Sequence, residues 1–353
     1  MASINLQGDT SGAITISAPS VAGSNTLTLP ATTQTLATQN ALGVRNRIIN
    51  GDMRIDQRNA GASVTGNNAT YGIDRWKTGA TQSSKFTMQQ VTDAPENFTH
   101  SLKITSSSSY TLTSSDEFEM IHFIEGNNVA DLGWGTSSAK TITMSFYVKS
   151  SLTGTFGGVL YNSASNRSYT YSYTINTANT WEQKTITIAG DTAGTWTTDN
   201  TVGIGVLFCI GAGSSLLSTP GSWDSTFYRG PTGQVSVVST NAATWQITGL
   251  QLEVGDTATP FEHRPYDMEL QRCQRYYLHK NFIVTTSNYW QSIDFPVEMR
   301  SHPSQDSLTF EAGSGATIAS LAGATVDKRP LSIYQNNANS ALAVASVRLN
   351  AEL

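Results

Sequence analysis

Short alternating runs of apolar and hydroxyl residues, repeated along nearly the whole chain, constrain the fold more than any other feature. From Asn46 to Glu262 such runs recur about every 10–15 residues, with Gly, Asn and Ser between them. Thr141-Ile142-Thr143-Met144-Ser145-Phe146-Tyr147-Val148 alternates, as do Lys184-Thr185-Ile186-Thr187-Ile188 and Trp245-Gln246-Ile247-Thr248-Gly249-Leu250-Gln251-Leu252-Glu253. This period of two puts one side of each strand into a core and the other into water. Val202-Gly203-Ile204-Gly205-Val206-Leu207-Phe208-Cys209 is almost wholly apolar, which predicts a central strand covered on both faces. The pattern predicts an all-β chain whose main body is a β-sandwich of roughly 210 residues.

Three regions follow. Residues 1–42 carry three short strand patterns, Gly12-Ala13-Ile14-Thr15-Ile16-Ser17, Asn25-Thr26-Leu27-Thr28-Leu29-Pro30 and Gln34-Thr35-Leu36-Ala37. They contain too few apolar residues to bury a core, because isolated strand pairs are marginal in water. This segment therefore needs a partner. Sister copies around an axis are the simplest choice and predict a homotrimer, although packing on another protein satisfies the same need. Residues 43–265 form the sandwich. Residues 266–353 begin with a short helix, Asp267 as its N-cap and Met268, Leu270, Cys273 and Tyr276 or Tyr277 on its apolar face. A small β-domain follows, through Phe282-Ile283-Val284, the run from Gln291 to Val297, Leu308-Thr309-Phe310, Leu331-Ser332-Ile333-Tyr334 and Ala345-Ser346-Val347-Arg348-Leu349-Asn350.

Composition narrows the function. Charged residues are only 13% of the chain and the net charge is −5, against about 25% charged in an ordinary globular protein. Hydroxyl and amide side chains must wet the surface. An acidic chain with few basic clusters is unsuited to neutralising phosphates, so nucleic acid is not an expected partner. No run approaches the roughly 18 apolar residues of a membrane helix, and MASINLQGDTSG lacks the charged start and apolar stretch of a signal peptide. Neither membrane insertion nor Sec-dependent secretion is expected. Cys209 and Cys273 stand far apart in unlike surroundings and read as buried free thiols.

Catalytic patterns are scarce. There is no Gly-x-Ser-x-Gly pentapeptide, and Gly203-x-Gly205 lies within an apolar strand rather than opening a helix. His100, His122, His263, His279 and His302 include no pair at metal-binding spacing. Asp116-Glu117-Phe118-Glu119 clusters carboxylates and reads as exposed strand charge, with an acidic site as the alternative. Aromatic residues point to sugars, since pyranose C–H faces stack on flat rings. Trp134 in Gly133-Trp134-Gly135, Trp223 in Pro220-Gly221-Ser222-Trp223-Asp224, and nearby Tyr228 are candidate platforms; the alternative is that the tryptophans cap the ends of the core. Trp76 and Trp245 read as core.

Several motifs together resemble bacteriophage tail-fibre-type virion proteins that carry a carbohydrate-binding-module-like jelly roll. The opening match is Asn46-Arg47-Ile48-Ile49-Asn50-Gly51-Asp52-Met53, then Gln57-Arg58 and Tyr71-Gly72-Ile73-Asp74-Arg75-Trp76. The closing match is Gly249-Leu250-Gln251-Leu252-Glu253-Val254-Gly255, Thr259-Pro260-Phe261-Glu262 and Glu269-x-x-Arg272-Cys273-Gln274-Arg275-Tyr276-Tyr277. The segment from Trp181 to Asp191, the Thr/Ala/Gly-rich start and Leu349-Asn350-Ala351-Glu352-Leu353 fit as well. The resemblance implies a non-enzymatic, trimeric virion protein assembled in the bacterial host cytoplasm. Its N-terminal segment would contact other virion proteins and its sandwich would contact host surface glycans. Rival readings are a capsid decoration, cement or head-fibre protein, and a polysaccharide depolymerase. The resemblance also implies a structural Ca²⁺ where the first and last strands of the jelly roll meet, with Asp52 and Glu253 as candidate ligands. The alternative places Asp52 in an Asn-Gly-Asp turn and pairs Glu253 with Arg47 or Arg54.

Overall fold

The structure is a computed structural model that describes residues 3–7, 13–17, 44–284, 289–293, 295–301, 309–312, 331–335 and 343–353. The chain divides into two compact units, Met1–Leu42 and Gly43–Leu353. In the first, β1 (Ser3–Gln7) and β2 (Ala13–Ser17) pair antiparallel, with Ile4 opposite Ile16 and Leu6 opposite Ile14. The strands expected at 25–30 and 34–37 lie outside the described residues.

The second unit opens with β3 (Val64–Thr65), β4 (Tyr71–Ile73), β5 (Trp76–Ala80), β6 (Phe86–Val91), β7 (Ser101–Ser106) and β8 (Glu117–Glu125). It continues with β9 (Ile142–Ser150), β10 (Gly154–Tyr161), β11 (Ser168–Ile175), β12 (Glu182–Ile188) and β13 (Val202–Ala212). Three two-residue strands, β14 (Leu217–Ser218), β15 (Trp223–Asp224) and β16 (Gly230–Pro231), precede β17 (Thr244–Val254). Seven of these strands form one sheet in the order β15-β11-β10-β13-β8-β5-β4, and six form the other in the order β12-β9-β17-β7-β6-β3. The result is a jelly-roll β-sandwich, and among the described residues the chain is all-β apart from one short helix and a few 3-10 turns.

The core lies between the two sheets. Phe118, Met120 and Ile124 of β8 meet Phe146 of β9 and Trp245 and Leu252 of β17, all buried. Ring pairs lock the middle, with Phe208 edge-on to Phe146 at 5.3 Å between centroids. Trp76 and Trp245 are fully buried, as their sequence contexts predict, and their indole N–H groups donate to the Asn50 carbonyl at 3.0 Å and the Tyr173 hydroxyl at 3.1 Å. β13 sits between β10 and β8 and is buried along nearly all its length, because both of its faces carry apolar side chains. Cys209 and Cys273 are free and buried.

The segment after the sandwich belongs to the same compact unit. Helix α1 (Tyr266–Gln274) leads into β18 (Tyr277–Val284), β19 (Tyr289–Ile293), β20 (Thr309–Ala312), β21 (Leu331–Gln335) and β22 (Ala343–Asn350). The strands pair as β18-β22-β20 and β19-β21. The helix departs from expectation in two respects. Its N-cap is Pro265, without a side-chain cap, and Asp267 lies in the first turn. Met268 is 43% exposed while Glu269 and Cys273 are buried. The inward face is thus partly polar, because Glu269 accepts the Asn50 backbone N–H and pairs with Arg264 at 3.1 Å.

That contact is part of a charged seam built from the motif residues. Asn50, with φ of 59°, donates to the Ile55 and Asp74 carbonyls, and Asp74 accepts the Gln57 backbone N–H at 2.8 Å. Arg58 lies over the rings of Tyr71 and Tyr277, at 4.2 and 3.7 Å from their centroids, and pairs with Glu352 at 2.8 Å. Arg75, almost fully buried, pairs with the same Glu352 and lies 3.6 Å above Tyr276. Arg58 and Arg75 each meet an anion and an aromatic face, the arrangement that offsets the cost of removing charge from water. The motif residues near both ends of this unit therefore act as cement between the sandwich and the segment that follows it.

Candidate functional site

The seven-stranded sheet has a second apolar face, turned away from the core. Successive side chains of a strand point to opposite sides, so β8 sends Glu119, Ile121 and Phe123 outward. There Ile121 joins Val159, Tyr161, Leu207 and Cys209 in a separate cluster, with Phe123, Phe227 and Tyr228 partly buried against it. Register fixes the layout. Phe123 of β8 lies opposite Gly205 of β13, and Gly205 opposite Tyr161 of β10. Ile121, Leu207 and Val159 make the next row, with Lys77 of β5 beside Ile121. Glu119 and Cys209 begin the row after that.

Glycine is required in the middle of the first row. A Cβ on Gly205 would stand 2.3 Å from the Tyr161 ring, so only a bare Cα lets that ring lie across the strand. Tyr161 then meets Phe123 edge-on at 6.3 Å and Phe227 at 4.3 Å. The chain between β13 and β17 folds over one end of this face. Its Gln234 donates to the Cys209 sulfur at 2.8 Å, and its Arg229 pairs with Glu117 at 2.6 Å and Glu119 at 3.2 Å while lying 3.7 Å over Phe227. Lys77 stands 4.3 Å over the Phe123 ring. Phe123, Phe227, Tyr228, Lys77 and Arg229 are all partly exposed. The face offers aromatic rings flanked by charged hydrogen-bonding groups, the combination that suits a pyranose with its apolar C–H side and polar rim.

Burial governs the carboxylates. Glu119 is 5% exposed, and the lost hydration raises its pKa to about 8 despite Arg229. Asp116 is held below the ordinary carboxylate range, against its burial, by the Thr113 backbone N–H at 2.7 Å and the hydroxyls of Thr113, Thr81 and Tyr110. The run Asp116-Glu117-Phe118-Glu119 is therefore not simple exposed charge. Asp116 closes a turn, and the two glutamates share one arginine.

The predicted sugar platforms fall elsewhere. Trp134 is 7% exposed and donates to the Lys140 carbonyl at 2.8 Å. It meets Trp196 and Trp223 edge-on at 4.8 and 5.2 Å. It caps the core and offers no open ring, because Trp196 and Trp223 close over it. Trp223 is half-buried on β15, 5.3 Å from Tyr169, with its N–H bonded to the Ala189 carbonyl at 2.8 Å. Only Tyr228 of the three borders the outer face, and its backbone N–H meets the Ser168 hydroxyl at 3.4 Å.

The predicted calcium ligands do not converge. Glu253 accepts the Thr259 N–H at 2.9 Å, the Thr259 hydroxyl at 2.7 Å and the Gln251 amide at 2.8 Å, which makes it a turn brace rather than a partner of Arg47 or Arg54. Asp52 pairs with Arg54 at 2.7 Å, and its burial raises its pKa to about 6. Ca²⁺ needs six to eight oxygens, and an adjacent guanidinium repels it. Among the described residues no cluster of three metal-ligating side chains occurs. These residues do not fit a calcium site.

No protein-family model matches the chain, and no curated protein matches its sequence. Solved structures with detectable likeness include a putative sugar binding protein from Bacteroides thetaiotaomicron VPI-5482, at TM-score 0.32 and 10% identity over 60% of this chain and 100% of that one. Another is the family 11 carbohydrate-binding module of the cellulase Lic26A-Cel5E of Clostridium thermocellum, at TM-score 0.28 and 12% identity over 58% and 99%. A third is the enzymatically active domain of tailspike protein 4 of bacteriophage CBA120, at TM-score 0.29 and 11% identity over 51% of this chain and only 19% of that one. Similarity this slight carries no functional argument, and the fold rests on the strand order and burial described above.

The sequence did hold a signal for the outer face. In Glu117-Phe118-Glu119-Met120-Ile121-His122-Phe123-Ile124 both alternating sets carry apolar residues, which marks a strand covered on two sides with an aromatic ring on the second. Gly205 in an apolar strand marked a close approach.

Proposed function

We propose that this chain is a non-enzymatic glycan-binding protein of a virion appendage, a trimeric tail fibre or similar structure that attaches to host surface sugars. The observation that carries the reading is the row Phe123, Gly205 and Tyr161, extended by Phe227 and edged by Lys77 and Arg229, on the outer face of the sandwich. Rings with charged and hydroxyl groups at their rims hold sugars weakly one at a time. A trimer joined through residues 1–42 would multiply that contact by raising the effective concentration of each further site. The motif resemblance supports the virion setting and assembly in the bacterial cytoplasm. The carboxylates support the non-enzymatic reading. Retaining and inverting glycosidases need an acid and a second free carboxylate across a cleft, whereas Glu117 and Glu119 lie on one strand and are tied to the same arginine.

A glycan array probed with the assembled protein tests this function. Binding that disappears in Phe123→Ala, with melting temperature and oligomeric state retained, is the expected result. An empty array, together with particle imaging that buries the sandwich among capsid proteins, would establish the cement reading instead. Release of oligosaccharides from host capsule would establish a depolymerase.

A further inference from the structure

We infer that the ligand of the outer face is an acidic glycan, and that Lys77 receives a sugar carboxylate while Phe123 supports the pyranose carrying it; this rests on the glycan-binding reading above. The charges on this face are otherwise paired. Arg229 is committed to Glu117 and Glu119, and Arg75 to Glu352, which also holds Arg58. Lys77 belongs to none of these ion pairs. Its ammonium stands over the Phe123 ring, 4.3 Å from the centroid, on the side of the sheet where both residues are partly exposed. A ring face draws a cation but accepts no conventional hydrogen bond, so the ammonium retains donors for an incoming anion.

The surroundings favour a negative guest. Burial pulls the Lys77 pKa below its ordinary value, against the raising influence of Glu352 and Glu119, so the cation is poorly hydrated where it stands. Glu119, the carboxylate one row away, is engaged by Arg229 at 3.2 Å rather than by Lys77, and burial raises its pKa. A carboxylate arriving at Lys77 restores the solvation the ammonium has lost. A neutral sugar hydroxyl does so less well, because charge-assisted hydrogen bonds are about twice as strong as neutral ones.

Calorimetric titration with a polygalacturonate oligosaccharide and with its carboxyl-reduced counterpart tests the inference, since the two probes differ only at the carboxylate. The wild-type protein is expected to bind the acidic probe at least about tenfold more tightly, a preference that narrows at high salt. Lys77→Met should erase the preference, bringing the affinity for the acidic probe down to that for the reduced one, and Lys77→Arg should keep it. Thermal melting of each variant confirms that the fold is intact. Equal affinity for the two probes, or an unchanged preference in Lys77→Met, overturns the acidic ligand. If Phe123→Ala then abolishes the equal binding, the glycan face stands without it. If binding survives Phe123→Ala, or the protein binds neither probe and the array is also empty, both readings fall.

Discussion

Two aromatic clusters on the seven-stranded sheet differ in how their polar atoms are used. At the β15 edge, Trp134, Trp196 and Trp223 interlock edge-to-face, and each indole N–H donates to a backbone carbonyl or to Asp191. On the outer face, Phe123 and Phe227 are partly exposed, and the cations beside them stand over ring faces. The first cluster is internally complete and closes the sandwich. The second leaves its rings partly exposed and the Lys77 ammonium outside the ion pairs named above. If the outer face is the glycan site proposed above, ring size is a poorer guide to sugar binding than unspent hydrogen-bonding capacity beside an accessible ring.

The comparison breaks most readily at Trp134. Trp134→Ala leaves a large cavity and should cost about 3–5 kcal/mol by denaturant unfolding, with the glycan preference of the remaining folded protein unchanged. Altered preference at full stability would place the site at the tryptophans. Phe123→Ala should show the reverse, about 1 kcal/mol or less of stability lost, because the ring is only partly buried, with at least tenfold weaker glycan binding.

A pH-dependent effect separates the charged groups of the outer face from the rest. Glu119 rises from an unfolded value of 4.5 to about 8 in the folded protein. Its contribution to stability is therefore fully present below about pH 4.5 and is lost as pH climbs through 8. Over that window wild type should lose on the order of 2–4 kcal/mol relative to Glu119→Gln. Parallel unfolding curves for the two proteins across this range would show that Glu119 does not titrate as its burial dictates. The smallest effect is expected from chelation. EDTA should leave the melting temperature unchanged, because Asp52 and Glu253 are already engaged with Arg54 and Thr259; a clear drop would restore the calcium site.

Alternation made the architecture legible. It exposed the all-β class and the core position of Trp245, while an unbroken apolar run marked the central strand β13 and an apolar face after Pro265 marked the helix. What escaped was set by contacts distant in sequence. Glu269 faces inward because Asn50 and Arg264 await it more than 200 and five residues away, respectively. No helical period reveals that. Trp134 between two glycines admitted both a sugar platform and a cap on the core, and Trp196 and Trp223, brought in from distant parts of the chain, decide for the cap. The outer face was visible only in part, because a strand apolar on both sides announces double coverage without saying whether protein or ligand supplies the second cover. The resemblance motifs were legible as a set, but their physical work, holding Glu352 and Glu269 between arginines, emerged only from the packed structure.

The most direct test follows the rings themselves. In a titration with an oligosaccharide that the array identifies, aromatic NMR resonances of Phe123, Tyr161 and Phe227 should shift in a saturable manner, while the indole signals of Trp134, Trp196 and Trp223 stay in place. Shifts confined to the tryptophans, with the outer-face rings silent, would contradict the account.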